Sequence, residues 1–182
     1  MTAMVFEVSN PTLDSQNIHR EGNLRWAFLW VGESRSIPGD QRTSTEISQS
    51  WTQASHHLLV LANSMLAFTP HLSMANDGIW MEIGKSAHLY GGEESTLHKA
   101  LMKAESLGFR GCAVVADSPH TSRILSRTLA LSDTARGVSP FLVPRGGDAE
   151  ALSSLPLSVL DSSAAALRLL GQLGISDVGA LA

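Results

Sequence analysis

The chain has 182 residues, 43% hydrophobic and 16% charged, a globular composition with apolar side chain enough for one substantial domain and a small second unit. Net charge is -4, with 13 basic residues dispersed along the chain, so the electrostatics do not mark a nucleic-acid binder; such binding would be local or shared with a partner. A single cysteine, Cys112, excludes an internal disulfide and argues against a thiolate zinc site, and no stretch reaches the length of a membrane span.

Residues 1–22 are polar with the turn formers Asn10, Pro11 and Asn17, and read as an N-terminal arm. They lack a basic segment followed by an apolar core, so a cytoplasmic location is expected. "LRWAFLWVG", 24–32, is an apolar run closed by Gly32 and predicts a strand buried on both faces. A polar linker with a Pro-Gly turn follows. In "SWTQASHHLLVLANSMLAF" the residues Trp51, Ala54, Leu58, Leu61, Met65 and Phe68 recur at three- and four-residue steps, which predicts an amphipathic helix stopped by Thr69-Pro70. "HLSMAN" and "GIWMEIG" predict two short strands around a turn, with Ile79, Met81 and Ile83 alternating with Trp80 and Glu82.

"EESTLHKALMKAESLG" predicts a second helix with acids in its first turn, an apolar face of Leu97, Leu101, Ala104 and Leu107, and Gly108 as its stop. "FRGCAVVAD" predicts a fourth strand, in which Cys112 is a buried structural thiol. "SPHTSRILSRTLAL" predicts a third helix, with Ser118 as N-cap and Pro119 at its first position. The extended "GVSPFLVP", the turn "RGGD" and an Ala/Leu-rich tail complete the chain. The order strand, helix, strand, strand, helix, strand is the split βαββαβ arrangement, an α+β ferredoxin-like sheet with helices on one face. This order is common to ferredoxin-like domains, nucleotide cyclases and polymerase palms, so topology leaves the function open.

From Leu58 to Ala182 the chain resembles the Y-family, translesion DNA polymerases, most closely their ImuB-type mutagenesis proteins. The resemblance lies in "FTP", "DG-W-E--G-AHL-GGE", "GF-----ADSP" and the helix after it, in the family's order and spacing. "LPLSVL" and "LGISDVGALA" are similar to the passage into the thumb and the opening of a helix-hairpin-helix. The resemblance implies a palm-like domain over 23–147 and a partial thumb over 148–182. It also implies that the metal-binding carboxylates of an active palm would fall at Trp30 on the first strand and at Asp77 and Gly78 in the hairpin. Two of the three are lost, which leaves Asp77 as a vestigial metal position, and too few residues lie between the first strand and the first helix for the family's fingers domain.

A palm transfers nucleotidyl groups with two divalent cations about 4 Å apart, clamped by several carboxylates. A single Asp cannot hold such a pair, and Glu33, beyond Gly32, would need the chain to fold back to help. No cofactor is therefore expected, with magnesium only if the vestigial site works. Asp77 is expected to bond the backbone of its own "ANDG" turn. Gly91 and Gly92 permit the tight approach to a helix whose Glu93 and Glu94 sit favourably at its positive end.

His56 and His57 are adjacent and point about 100° apart on a helix, and His71, His88, His98 and His120 are scattered, so no histidine site is assigned. The small-residue helix "SSAAALRLL" reads as packing. Backbone N–H groups of Leu173, Gly174, Ile175 and Ser176 are candidates for a DNA phosphate contact. The open sheet face with Trp30, Trp80 and Glu82 is a candidate partner surface.

The resemblance implies a non-catalytic adaptor in the SOS response and mutagenic translesion synthesis. Its implied partners are an ImuA-type RecA-like protein, an error-prone replicative-type polymerase subunit and the sliding clamp. A DNA-binding module acting through the hairpin, or a residual metal-dependent nucleotidyl-transfer enzyme, is the alternative.

Overall fold

The structure, a computed structural model of the chain, describes residues 24–31, 57–109, 111–131 and 140–181. The arm over 1–22, the linker with Glu33, and Trp51, Ala54 and His56 lie outside the described residues.

Strand β1 (Trp26–Val31) is the predicted two-face-buried run. Helix α1, described over 57–65, buries Leu58, Leu61, Ala62 and Met65, the three- and four-residue stripe of its sequence. Strands β2 (Leu72–Ala75) and β3 (Gly78–Glu82) form the hairpin, and β3 is buried at all five positions. Helix α2 (Glu93–Ser106) follows Gly91 and Gly92, both with positive φ, and buries Leu97, Leu101 and Ala104 as expected, with Ala100 between them. Leu107 lies past its end and is exposed, and left-handed Gly108 closes it, at φ 86.

Strand β4 (Gly111–Ala116) leads to α3 (Pro119–Leu131), where the Ser118 hydroxyl accepts from the His120 N–H at 3.3 Å as the predicted N-cap. A short β5 (Phe141–Leu142), α4 (Asp148–Ser153), a 3-10 turn (Leu157–Val159), α5 (Ala164–Gln172) and a last 3-10 turn (Gly179–Leu181) complete the described chain.

Among the described residues the strands form one five-stranded sheet in the order β2-β3-β1-β4-β5, antiparallel throughout except for the parallel pair β4-β5. The first four strands have the predicted α+β order, and β5 is an addition. Helices α1 and α2 share one face, where Leu58, Leu61, Met65, Leu97 and Leu101 pack on Ala27, Leu29, Ile79, Met81 and Val115. Helix α3 departs from the expectation of helices on one face: it lies on the opposite side, with Leu125 against Val114 and Ala116 and the Ser126 hydroxyl donating to the Phe28 carbonyl at 2.9 Å. Burial of these strand residues on both faces requires that second cover, because an uncovered face would leave Phe28 and Val114 in water.

Candidate functional site

The β1–β3 register pairs Trp30 with Gly78, and the Val31 N–H donates to the Asp77 carbonyl at 3.0 Å. The three positions singled out in the sequence therefore meet at one end of the sheet. Trp30 is half-buried there. A Cβ added at Gly78 would run into the Leu29 carbonyl and come within 2.6 Å of the Phe28 ring, so backbone and aromatic ring fill the space a side chain would need. The Phe28 ring in turn leans on Trp80, with centroids 5.0 Å apart and planes tilted by 59°.

Among the described residues, the hydrogen bonds to the Asp77 carboxylate come from Arg123 on α3 rather than from the turn's own backbone. The guanidinium Nε lies 3.2 and 3.3 Å from the two carboxylate oxygens, and a terminal nitrogen lies 3.1 Å from Oδ1 and 3.2 Å from Oδ2. The pair is partly buried, with side-chain exposures of 29% and 25%. The Arg123 guanidinium also sits 5.5 Å over the Trp80 ring and reaches Asp161 at 3.4 Å. One turn further along α3, Arg127 bonds the other Asp161 oxygen at 3.0 Å. Asp77, Arg123, Asp161 and Arg127 thus form a row of alternating charge across the end of the sheet.

This donor set does not fit a palm's metal pair. A divalent cation takes several oxygen ligands, whereas here one carboxylate is already neutralised by a guanidinium and the neighbouring positions carry indole and no side chain. Among the described residues, no group of three or more His, Cys, Asp or Glu converges, and His57, His71, His88, His98 and His120 are exposed on separate elements.

The candidate partner surface needs correction. Trp80 and Glu82 do lie opposite the α1/α2 face, but they are 8% and 3% exposed, and α3 covers Trp80 with Pro119 and Arg123. The Trp80 indole donates to the Pro119 carbonyl at 2.9 Å, which ties the start of α3 to the middle of β3. Both residues belong to the interior, and one carboxylate oxygen of Glu82, Oε1, has no hydrogen-bond partner there among the described residues.

The candidate phosphate contact is also largely occupied. The Leu173 N–H donates to the Leu169 and Leu170 carbonyls, Gly174 to Gly171, and Ile175 to Leu170, all at 3.0–3.1 Å. These bonds close the end of α5 around left-handed Gly174, so the three N–H groups cap a helix instead of facing outward. The Ser176 hydroxyl bonds the Asp177 carboxylate at 3.1 Å, which places a negative charge beside the hairpin. Among the described residues, a 3-10 turn over Gly179–Leu181 follows the hairpin.

Two arginine groupings went unread in the sequence. Arg123 and Arg127 were visible as a basic pair at i, i+4 on a predicted helix, a spacing that puts both on one face. Arg25, at the start of β1, carried no signal. Its side chain is 2% exposed and donates to Glu93 at 3.0 Å, to Asp117 at 2.8 Å and to the Val143 carbonyl at 2.7 Å. Burial works against its charge, but Glu93 and Asp117 outweigh it and its pKa lies above the ordinary value.

Burial likewise pushes the Asp117 carboxyl up, while the Gly146 N–H and the Arg25 guanidinium pull harder and leave it below the ordinary carboxylate value. Asp148 caps the turn by accepting from the Asp117 and Ser118 N–H groups at 3.1 and 2.8 Å. Glu93, at the start of α2, also receives Arg145 at 3.1 Å. Cys112, expected to be buried, is only half-buried, and that burial raises its thiol above its ordinary value.

No helix among the described residues is long and apolar enough to cross a membrane. No protein-family model matches the chain. No curated protein matches it either.

Proposed function

We infer that the chain is a non-catalytic, palm-like relative of the Y-family polymerases, ImuB-like, acting as a cytoplasmic adaptor in DNA-damage-induced translesion synthesis. The observation that supports this reading is the pairing of Trp30 with Gly78 beside an Asp77 that is held by Arg123. The positions where an active palm keeps its carboxylates are gathered in one place, but they carry an indole, a glycine too crowded for a side chain, and a carboxylate already charge-paired. Such a site keeps the frame of a polymerase palm without the means to clamp two cations. The partners in this reading are a RecA-like protein of the ImuA type, an error-prone replicative-type polymerase subunit and the sliding clamp.

The test has two arms. Deleting the gene should lower damage-induced mutation frequency, and the tagged chain should retain a RecA-like protein or an error-prone polymerase subunit after DNA damage. Unchanged mutation frequency with neither partner retained would overturn the adaptor reading. In the second arm, primer extension with magnesium or manganese should give no incorporation; incorporation abolished by Asp77→Ala would establish the enzyme instead. The DNA-binding alternative draws less support, because N–H groups it requires are bonded within α5 and its hairpin.

A further inference from the structure

We propose that Asp161 is an ionic latch holding the α5 arm against α3, opened by salt or by an anion that competes for Arg123 and Arg127. The arm runs from the 3-10 turn over Leu157–Val159 through α5 to Ser176. Its base is pinned by backbone bonds: the Leu157 N–H donates to the Ser176 carbonyl at 3.4 Å, Val178 to Leu155 at 2.9 Å, and Pro156 bridges Asp177. Beyond that base the arm has little to hold it. Helix α5 buries no residue, and Leu169 and Leu173 are 58% and 67% exposed. Where the arm faces α3, it leaves a cleft of about 350 Å³ lined by Arg127, Thr128, Leu131, Ser158 and Val159. Beyond Leu157, which is buried at the base, close packing therefore does not fix the arm on α3.

What crosses to α3 is the Asp161 carboxylate, which bonds Arg127 with one oxygen at 3.0 Å and Arg123 with the other at 3.4 Å. Arg123 and Arg127 lie one turn apart, so a single carboxylate two residues before the Ser163 N-cap is chelated by two guanidiniums of one helix face. Asp161 is 66% exposed, and the ion pair is open to screening. Exposed pairs contribute little individually, which suits a latch poised near balance. Opening it would free Arg127 and the one Arg123 nitrogen that reaches Asp161, while Asp77 keeps Arg123 on the sheet.

Hydrogen exchange on the full chain tests this, comparing wild type, Asp161→Asn, Arg127→Gln and the double variant. Each single substitution should speed exchange of the α5 amides about 2–5-fold, as loss of a surface pair implies. Raising sodium chloride from about 50 to about 500 mM should do the same in the wild type, less in Arg127→Gln, which keeps the Arg123 contact, and not in Asp161→Asn or the double variant. The double variant should match Asp161→Asn, which already removes both pairs, and amides of β1, β3 and β4 should not change.

Asp161 also lies near the positive end of α5, so Asp161→Asn alone could loosen that helix through its dipole. Arg127→Gln separates the two effects. If α5 exchange is unmoved in Arg127→Gln, or if salt speeds the variants as much as the wild type, there is no latch.

Discussion

Replacing Arg25 by Met removes a buried cation while keeping most of its stem, so the loss measures the polar network rather than packing. The Val143 carbonyl belongs to a residue with no solvent exposure and loses a donor at 2.7 Å, which costs about 1–3 kcal/mol for a buried acceptor left unpaired. Glu93 and Asp117 each lose a charged partner, but Arg145 stays on Glu93 at 3.1 Å and the Gly146 N–H stays on Asp117 at 2.6 Å. With side-chain exposures of 21% and 35%, both carboxylates reach water, so each loss is about 0.5–1 kcal/mol.

The expected total is about 2–5 kcal/mol, overlapping the roughly 3–5 kcal/mol of a fully buried pair broken on one side. In urea the midpoint should fall with an unchanged slope, and the thermal midpoint should drop by about 4–20 °C. The pH dependence is a second reading of the same network. A depressed folded pKa makes Asp117 contribute stability above its unfolded value of about 3.9, lost as pH falls through the folded value. The Arg25→Met substitution removes part of that depression, so the gap between wild type and variant should narrow on acidification. A loss under about 1 kcal/mol, or a gap that stays constant to low pH, would refute the network as a source of stability.

Gly78→Glu restores a carboxylate where the resemblance places one, yet it should destabilise by about 1–3 kcal/mol through overpacking against Leu29 and Phe28. Urea denaturation measures the loss, and primer extension should stay silent. Trp80→Phe removes the indole bond to the Pro119 carbonyl and should cost about 1–3 kcal/mol; a cost near zero would mean that α3 is positioned by its other contacts. Cys112 should react with a maleimide at neutral pH far more slowly than a free thiol and become reactive on unfolding, because burial holds it in the protonated form.

The elements of the fold were legible because their signals are local. The α1 stripe, the β3 alternation, the Ser118 cap and the left-handed Gly108 each depend on residues within a turn or a strand of one another. The side of the sheet that α3 would cover was not legible. Its amphipathic pattern shows that one face is buried without saying against what, and the sheet face bearing Trp80 therefore looked free. Asp77 was found as a residue but not as a bonded group, because its partner Arg123 lies 46 positions away and meets it only after β4 and α3 fold back. The same holds for Arg25, whose partners Glu93, Asp117 and Val143 come from three separate parts of the chain.

Sequence by itself determined the α+β class, the order of strands and helices, and the absence of carboxylates at Trp30 and Gly78, because side-chain identity and period are properties of the chain alone. Tertiary structure decided the rest: that Trp80 and Glu82 are interior, that the hairpin N–H groups close α5, and that Asp77 faces a guanidinium. Burial, hydrogen-bond pairing and charge compensation are relations between distant residues, and they exist only once packing has chosen which residues are neighbours.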